Sequence, residues 1–422
     1  MVDGQPARAG GGAGGMRVSD AGREGELMEA AVATVRRDAH GPVALLDFCK
    51  GVAIAWVVLV HARHGWFGWQ GVHVFVLLGG FTLTHACLRR ERPLAWGRWL
   101  RRRAERILPA YWAVATAGFL VLCGVAALAP NVRRPFDLSV TAGRWLADLT
   151  LLRNFSYKMM LADPNSALWF VPLVATLYLA FPWLYSSLAR RGARGWVKVL
   201  LAAAAVEVIY RAAAVYWLDG VPVGYGHGFV RFLGRPEKAL NEVGDAFPFQ
   251  LWAPFGLAPS RVGEFALGMV GAFALREDPA RFERLLLGWR GALCGVVAWL
   301  CGNFLLLAGR WAWAFADLVI AAGLVLWLVG LAGLVRGLLP KAFRLVSRLG
   351  EWSYYVFLTH LLFGYAYANL YTLWAGSTAL AVLMLLLTLA AAVASCRLLR
   401  RLDRSELPRL IFHRGAASPA AR

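Results

Sequence analysis

The sequence predicts an all-α protein, a polytopic membrane helix bundle of about ten transmembrane helices with both termini in the cytoplasm. Hydrophobic residues make up 59% of its 422 residues and charged residues 17%, whereas soluble domains carry about 45–50% and about 25%. Mean hydropathy is +0.54, and several segments run for about twenty residues with almost no charge, enough to cross a bilayer. A soluble enzyme, a disordered chain and a secreted disulfide scaffold are therefore excluded.

Ten apolar segments predict the membrane helices. They divide the chain into a disordered cytoplasmic tail at 1–42, a membrane domain at 43–398 and a cytoplasmic tail at 399–422. The first tail has no basic start followed by an apolar run, so we expect no cleavable signal peptide. The predicted spans are 43–62, 68–88, 107–129, 167–188, 196–218, 255–275, 291–309, 311–335, 352–374 and 377–397.

The distribution of basic residues predicts the orientation. With both tails inside, the tails and inside loops (counted with the adjoining span ends) hold 32 Lys and Arg, against 11 on the outside. Positive residues are retained on the cytoplasmic side of membrane proteins, so this bias supports ten spans. The net charge of +20 lies in short runs between apolar segments, which argues against a nucleic-acid partner.

The six cysteines predict neither a metal site nor a disulfide framework. All fall inside or at the ends of apolar segments, and no C-x-x-C spacing is present. We interpret them as small hydrophobic residues and predict no metal.

The first span carries ionisable residues that suggest a site. Lys50 and His61 are eleven positions apart, which places them on one helix face with an axial separation of about 16 Å. Asp47 precedes Lys50 by three positions and can pair with it. An ionisable group in a span is costly and suggests function. The alternative is a snorkelling lysine with an interfacial histidine.

The loop after the second span contains eight arginines within eighteen residues. Arginine suits phosphate recognition through paired hydrogen bonds, so a phosphorylated cytosolic cofactor is one interpretation. Attraction to anionic lipid is the other. The eight are Arg89, Arg90, Arg92, Arg98, Arg101, Arg102, Arg103 and Arg106.

Later spans carry further polar residues. Glu207 and Arg211 are spaced to pair, and the sixth span begins with ionisable residues three apart, Arg261 and Glu264. His360 lies in the ninth span with Ser353 and Tyr354, where it either joins a polar network or makes a structural hydrogen bond, and we favour the structural bond. The paired glycines after His73 admit a close neighbour, a helix or a ligand. Two long outside loops, at 130–166 and 219–254, are interpreted either as covers for an outward-facing site or as spacers.

Taken together and in their order along the chain, the segments described above resemble the acyltransferase-3 family of integral membrane O-acyltransferases. Six short patterns across 46–360 carry the resemblance, and each is weak alone. The residues that match are Lys50 and His61 of a basic-x10-His pattern; Gly71, Val72, Phe75, Gly80 and Phe81; Arg103, Arg106, Ile107, Pro109 and Tyr111; Leu168, Trp169, Phe170, Tyr178 and Pro182; Arg261, Glu264, Phe265 and Gly268; and Gly350, Ser353, Tyr354, Leu358 and His360.

Three positions depart from the family pattern. Lys50 stands where the family has arginine, which keeps the charge and loses the planar fork. His73 replaces an acid and Gly79 replaces serine. These departures leave substrate and efficiency open.

The resemblance implies transfer of an acyl group, acetyl being the expected one, from cytosolic acyl-CoA to a hydroxyl of a carbohydrate, glycolipid or small-molecule acceptor at the inner (plasma) membrane. It implies that His61 is the general base, that Arg103 and Arg106 hold CoA phosphates, and that Lys50 extends this positive path. Direct transfer and an acyl-histidine intermediate both stay open. Membrane lipid is an expected partner, and oligomerisation is compatible with the sequence.

Two other functions are open from the sequence. A transporter or flippase for a glycolipid or polysaccharide explains the spans and their charges, but not the arginine cluster. An inactive family member that acts as an assembly partner is compatible with the changes at Lys50, His73 and Gly79.

Overall fold

The computed structural model describes residues 44–61, 67–90, 94–128, 137–155, 165–217, 256–286, 288–373 and 378–405, with 408, 411 and 412. Every regular element in these residues is a helix, which confirms the all-α prediction. The α-helices are α1 Ala44–His61, α2 Gly71–Leu88, α3 Trp96–Leu128, α4 Leu138–Leu149, α5 Phe170–Ala189, α6 Ala193–Trp217, α7 Val262–Glu277, α8 Pro279–Leu286, α9 Trp289–Leu305, α10 Arg310–Trp313, α11 Ala316–Leu338, α12 Pro340–Glu351, α13 Ser353–Leu373 and α14 Thr378–Arg404. Short 3₁₀ helices lie at Gly68–Gln70, Arg153–Phe155, Ser166–Trp169 and Ala258–Arg261.

Six helices of the described part are long and apolar enough to cross a membrane, or seven if α8 and α9 form one broken span. The protein is therefore a multi-pass membrane protein. The count of ten and the cytoplasmic termini stay predictions. Helix α7 covers the predicted sixth span with only 16 residues, and α13 and α14 cover the ninth and tenth without being among the six. The six candidate spans are Ala44–His61, Gly68–Leu88, Trp96–Ala127, Ser166–Ala189, Ala193–Trp217 and Ala316–Leu338.

Glycines set the close contact between α2 and α7. A Cβ atom on Gly80 would collide with the carbonyl oxygen of Phe265, and one on Gly268 would collide with the carbonyl oxygen of Leu77. A Cβ on Gly79 would meet only the Phe265 ring, at 3.9 Å. Of the two adjacent glycines, Gly80 therefore admits the neighbouring helix. This approach brings the polar residues of α2 and α7 within hydrogen-bonding reach.

Helix α1 packs in the same way on α12. A Cβ on Gly51 would collide with the α12 backbone, and one on Gly350 would collide with the carbonyl oxygen of Asp47. The rings of Phe48 and Phe343 stack beside this crossing, with centroids 5.3 Å apart. The half of α1 that carries Lys50 is thus fixed against α12.

The apolar core around Trp99 joins α2, α3, α5, α6 and α7. Trp99 of α3 stacks on Phe181 of α5 with a centroid separation of 4.8 Å and an interplanar angle of 11°. Leu173 of α5 and Phe265 and Met269 of α7 belong to this buried cluster. It holds the first turns of α3, where the arginines lie, against the bundle.

Part of the first long outside loop, at 130–166, is helical. The Asp137 carboxylate accepts from the backbone N–H of Ser139 at 2.8 Å and caps α4. After α4, the buried Arg153 donates to Asp148 at 2.8 Å. Burial raises the pKa of Asp148, and Arg153 opposes that rise. The other long loop, at 219–254, lies outside the described residues.

The six cysteines are free thiols. Cys49, Cys87 and Cys396 are buried, as expected of small hydrophobic residues. Cys294 and Cys301 lie exposed on α9, a helix with an apolar outer surface.

Candidate active site

His61 ends α1, and its imidazole is exposed beyond the packed interior. Its Nδ1 atom lies 2.7 Å from the carbonyl oxygen of Val57, one turn earlier. A carbonyl oxygen can only accept, so Nδ1 carries the hydrogen. In neutral His61 the basic lone pair is therefore on Nε2.

His360, on α13, lies directly against His61. Its Nε2 atom is 3.4 Å from Nδ1 of His61, and the ring centroids are 5.1 Å apart in an edge-to-face arrangement. The Nδ1 atom of His360 faces two carbonyl oxygens of its own helix, Phe357 at 2.9 Å and Val356 at 3.2 Å. The expected structural hydrogen bond of His360 is thus present, and the contact with His61 comes in addition.

Lys50 pairs with Asp47, as their spacing predicts. The Lys50 Nζ atom lies 3.1 Å from Asp47 Oδ1, and both side chains are partly exposed. Such a pair contributes about 0–1 kcal/mol. Lys50 therefore lies near the predicted cytoplasmic end of α1 in a partly exposed ion pair and outside the buried core.

His73, Arg261 and Glu264 form the centre of a buried ionic cluster. The Nδ1 atom of His73 lies 3.0 and 3.1 Å from the two carboxylate oxygens of Glu264. Arg261 Nη1 donates to Glu264 at 2.9 Å and lies 2.6 Å from His73 Nδ1. All three side chains are at most 2% exposed. Charges buried this deeply need partners of opposite sign.

Asp317 of α11 extends the cluster. Its Oδ2 atom lies 2.8 Å from Arg211 Nη1 and 3.6 Å from Arg261 Nη2, while its Oδ1 atom lies 3.6 Å from His73 Nε2. Glu207 accepts from two backbone N–H groups at the start of α7, at 2.8 and 3.3 Å. The cluster thereby joins α2, α6, α7 and α11.

Three residues of this cluster are of the types that bind metal ions. His73, Glu264 and Asp317 each offer a ligand atom, all within 4.8 Å of one another, a donor set that suits a divalent cation. Arg261 contacts His73 and Glu264, and Arg211 contacts Asp317. A divalent cation would repel both guanidinium groups. The geometry therefore favours an internal ion network over a metal centre.

The two arginines predicted to hold phosphate lie one turn apart on α3. The Arg103 guanidinium lies 5.6 Å from the centroid of Trp99, and its Nε atom is buried without a hydrogen-bond partner among the described residues. Arg106 is exposed. A guanidinium that lies over an aromatic ring and has one buried donor unsatisfied among the described residues fits an anion site.

The remaining predicted residues connect elements of the scaffold. The Trp169 carbonyl oxygen accepts from Asn154 Nδ2 at 2.8 Å. The Tyr354 hydroxyl donates to the Ile107 carbonyl oxygen at 2.7 Å and so ties α13 to α3. Ser353 is buried at the start of α13. Trp169 and Tyr354 thus link neighbouring segments around the site.

Sequence reasoning did not select two residues that the structure places at these clusters. Asp317 lies in the apolar segment predicted as the eighth span, so its charge was the available signal. Asn165 donates to the Leu358 carbonyl oxygen at 2.6 Å and fixes α13 two residues before His360. No sequence pattern marks Asn165.

A family model described as "Acyltransferase domain", of the acyltransferase-3 type, matches residues 43–397. The chain belongs to this family. Membership indicates a membrane acyltransferase, and the matched residues include His61, the α3 arginines and the α2–α7 cluster. No curated protein and no solved structure matches this family member.

Proposed function

We propose that this family member transfers an acyl group, acetyl being the expected one, from cytosolic acyl-CoA to a hydroxyl of a carbohydrate or related acceptor at the inner membrane. The observation that carries the proposal is the imidazole of His61. It is exposed at the end of a membrane helix, and its Nδ1–H is directed to the Val57 carbonyl oxygen. This contact leaves the lone pair of the neutral ring on Nε2, which supports Nε2 as the proposed base.

The chemistry needs such a base because a sugar hydroxyl is a weak nucleophile at neutral pH. His61 Nε2 takes the hydroxyl proton while the oxygen forms a bond to the thioester carbonyl carbon. The C–S bond then breaks, and the leaving thiolate takes the proton back from His61 to give free CoA. Ester formation and thioester cleavage balance without another reactant.

The donor is held on the cytosolic side by the arginines of α3. Arg103, backed by Trp99 and with an unsatisfied buried Nε, and the exposed Arg106 supply charge-assisted bonds to CoA phosphates. Lys50 lies on α1 between the cytosolic end of that helix and His61, about 16 Å from His61 by helix rise. It extends the positive path toward the reacting thioester.

Acyl transfer by the purified protein tests the proposal. The protein in nanodiscs is given acetyl-CoA labelled in the acetyl group together with candidate carbohydrate acceptors, and both free CoA and labelled ester are measured. We expect the two products in equal amounts. A protein that moves a labelled glycolipid across the bilayer and releases no CoA would instead be a flippase. Label that stays on His61 after acid quenching would identify an acyl-histidine intermediate.

A further inference from the structure

Two histidines on different helices, 299 positions apart in sequence, meet through defined atoms. Nε2 of His360 faces Nδ1 of His61 at 3.4 Å. The ring of His360 is oriented by its own helix, because its Nδ1 atom faces the Phe357 and Val356 carbonyl oxygens. The bond from Asn165 to the Leu358 carbonyl oxygen fixes this turn of α13.

The direction of the contact follows from counting hydrogens. The Nδ1 atom of His360 faces two carbonyl oxygens, which can only accept, so it carries the hydrogen, and its Nε2 carries the lone pair when the ring is neutral. His61 Nδ1 also carries its hydrogen, since it faces the Val57 carbonyl oxygen. The His61 Nδ1–H group therefore lies between two acceptors, the Val57 carbonyl oxygen and His360 Nε2.

We propose that His360 is a positioning residue that orients His61 and stabilises its protonated form during acyl transfer. This inference rests on the proposed function, because it needs His61 to be the base. When His61 Nε2 takes the hydroxyl proton, the ring becomes positively charged and its Nδ1–H becomes a stronger donor. A neutral acceptor behind it then stabilises the charge, and a contact that is long in the resting protein shortens.

The proposal gives His360 a role that a purely structural bond does not require. A structural histidine needs only its Nδ1 contacts with the α13 carbonyl oxygens. The proposed role needs the acceptor on Nε2, which a glutamine amide oxygen can replace and a phenylalanine ring cannot. The two substitutions therefore separate the functions of the two ring nitrogens.

The test compares His360→Phe and His360→Gln in the acyl-transfer assay, with thermal unfolding in nanodiscs recorded for each variant. We expect His360→Phe to lower kcat about 10- to 100-fold, as for loss of one hydrogen bond to a charged group, with KM for acyl-CoA unchanged. His360→Gln should recover most of that loss. Equal kcat for folded His360→Phe and the unsubstituted protein would overturn the proposal, as would equal impairment of the two variants.

A double variant shows whether His360 acts through His61. We expect His61→Ala combined with His360→Phe to be no less active than His61→Ala alone, because residues that act as a unit are not additive. Additive losses would mean that His360 acts independently and would overturn the inference. If His61→Ala itself stays active, the proposed function fails. If His61→Ala is inactive and His360→Phe is fully active, only the positioning role fails.

Discussion

Individual charged side chains stabilise the buried ionic cluster that joins α2, α6, α7 and α11. Asp317 is at 0% exposure and faces two guanidinium groups, at 2.8 Å from Arg211 and 3.6 Å from Arg261. Removing one member of a buried network leaves its partner charges uncompensated, which costs far more than losing a surface pair. The stability of this region therefore depends on the balance of charges in the cluster.

Replacement of Asp317 should show this dependence. We expect Asp317→Asn to lower the free energy of unfolding by about 3–5 kcal/mol, because Arg211 and Arg261 each lose a buried carboxylate neighbour while the shape of the side chain is kept. Asp278→Asn is the matched control. Asp278 is exposed and caps α8 through a bond to the Arg281 backbone, and asparagine caps equally well. Equal stability of the two variants in chemical denaturation would contradict the proposed balance.

The arginines of α3 give a second prediction for single residues. Arg103→Ala and Arg106→Ala should each weaken acyl-CoA binding, because each removes charge-assisted bonds worth about 1.5–3 kcal/mol. The exposed neighbour Arg102 serves as control, and Arg102→Ala should bind nearly as well as the unsubstituted protein. Isothermal titration with acyl-CoA measures the difference. Unchanged affinity in a folded Arg103→Ala, Arg106→Ala double variant would assign the cluster to lipid or topology alone.

The residue chemistry was only partly predictable from the sequence. Asp47 and Lys50 pair as expected, because helix geometry alone brings residues three apart together. The contact of His73 with Glu264 joins residues 191 positions apart, and helix periodicity holds no information on such pairs. For the same reason, the sequence did not predict the contact between His360 and His61, which are 299 positions apart.

At the level of helices, backbone approach is set by particular glycines. The sequence pattern does not distinguish Gly79 from Gly80, because either glycine permits a close neighbour. Only the direction of each Cβ relative to α7 separates them. That direction depends on how α2 is rotated about its axis, which an apolar segment with no clear polar face does not specify.

Substitution of these glycines tests the helix contact. We expect Gly80→Ala to destabilise by about 1–3 kcal/mol, because its methyl group would collide with the Phe265 carbonyl oxygen. Gly79→Ala should be neutral or stabilising by up to about 1 kcal/mol, since its methyl meets only ordinary contact and alanine favours helix. Thermal unfolding in matched detergent compares the two. A Gly80→Ala variant as stable as Gly79→Ala would mean that α2 and α7 pack differently.

For the whole molecule, composition predicted a multi-pass helical membrane protein correctly. The count of spans is harder to predict, because α7 has only 16 residues and carries Glu264 on its first turn, so neither its length nor its composition marks it as a span. Charge bias supports ten spans, whereas length and apolarity select six helices among the described residues. Side-specific labelling distinguishes these counts.

Reporter fusions test the topology. We expect a reporter fused after Arg103 to be cytoplasmic and one at Gly226 to be external, because 32 basic residues lie on one predicted side and 11 on the other. Both reporters on the same side of the membrane would contradict the ten-span scheme. A third fusion after Arg404 should match the first.

The rate of acyl transfer by the folded His61→Ala variant tests most directly whether His61 is the base. Loss of a general base costs about 10²–10⁴-fold in rate, so we expect a loss in this range while expression and acyl-CoA binding stay nearly unchanged. A larger loss is expected if His61 forms the acyl intermediate. His85→Ala, a histidine at the other end of α2 from His73, should retain activity. Full activity in folded His61→Ala would contradict the mechanism.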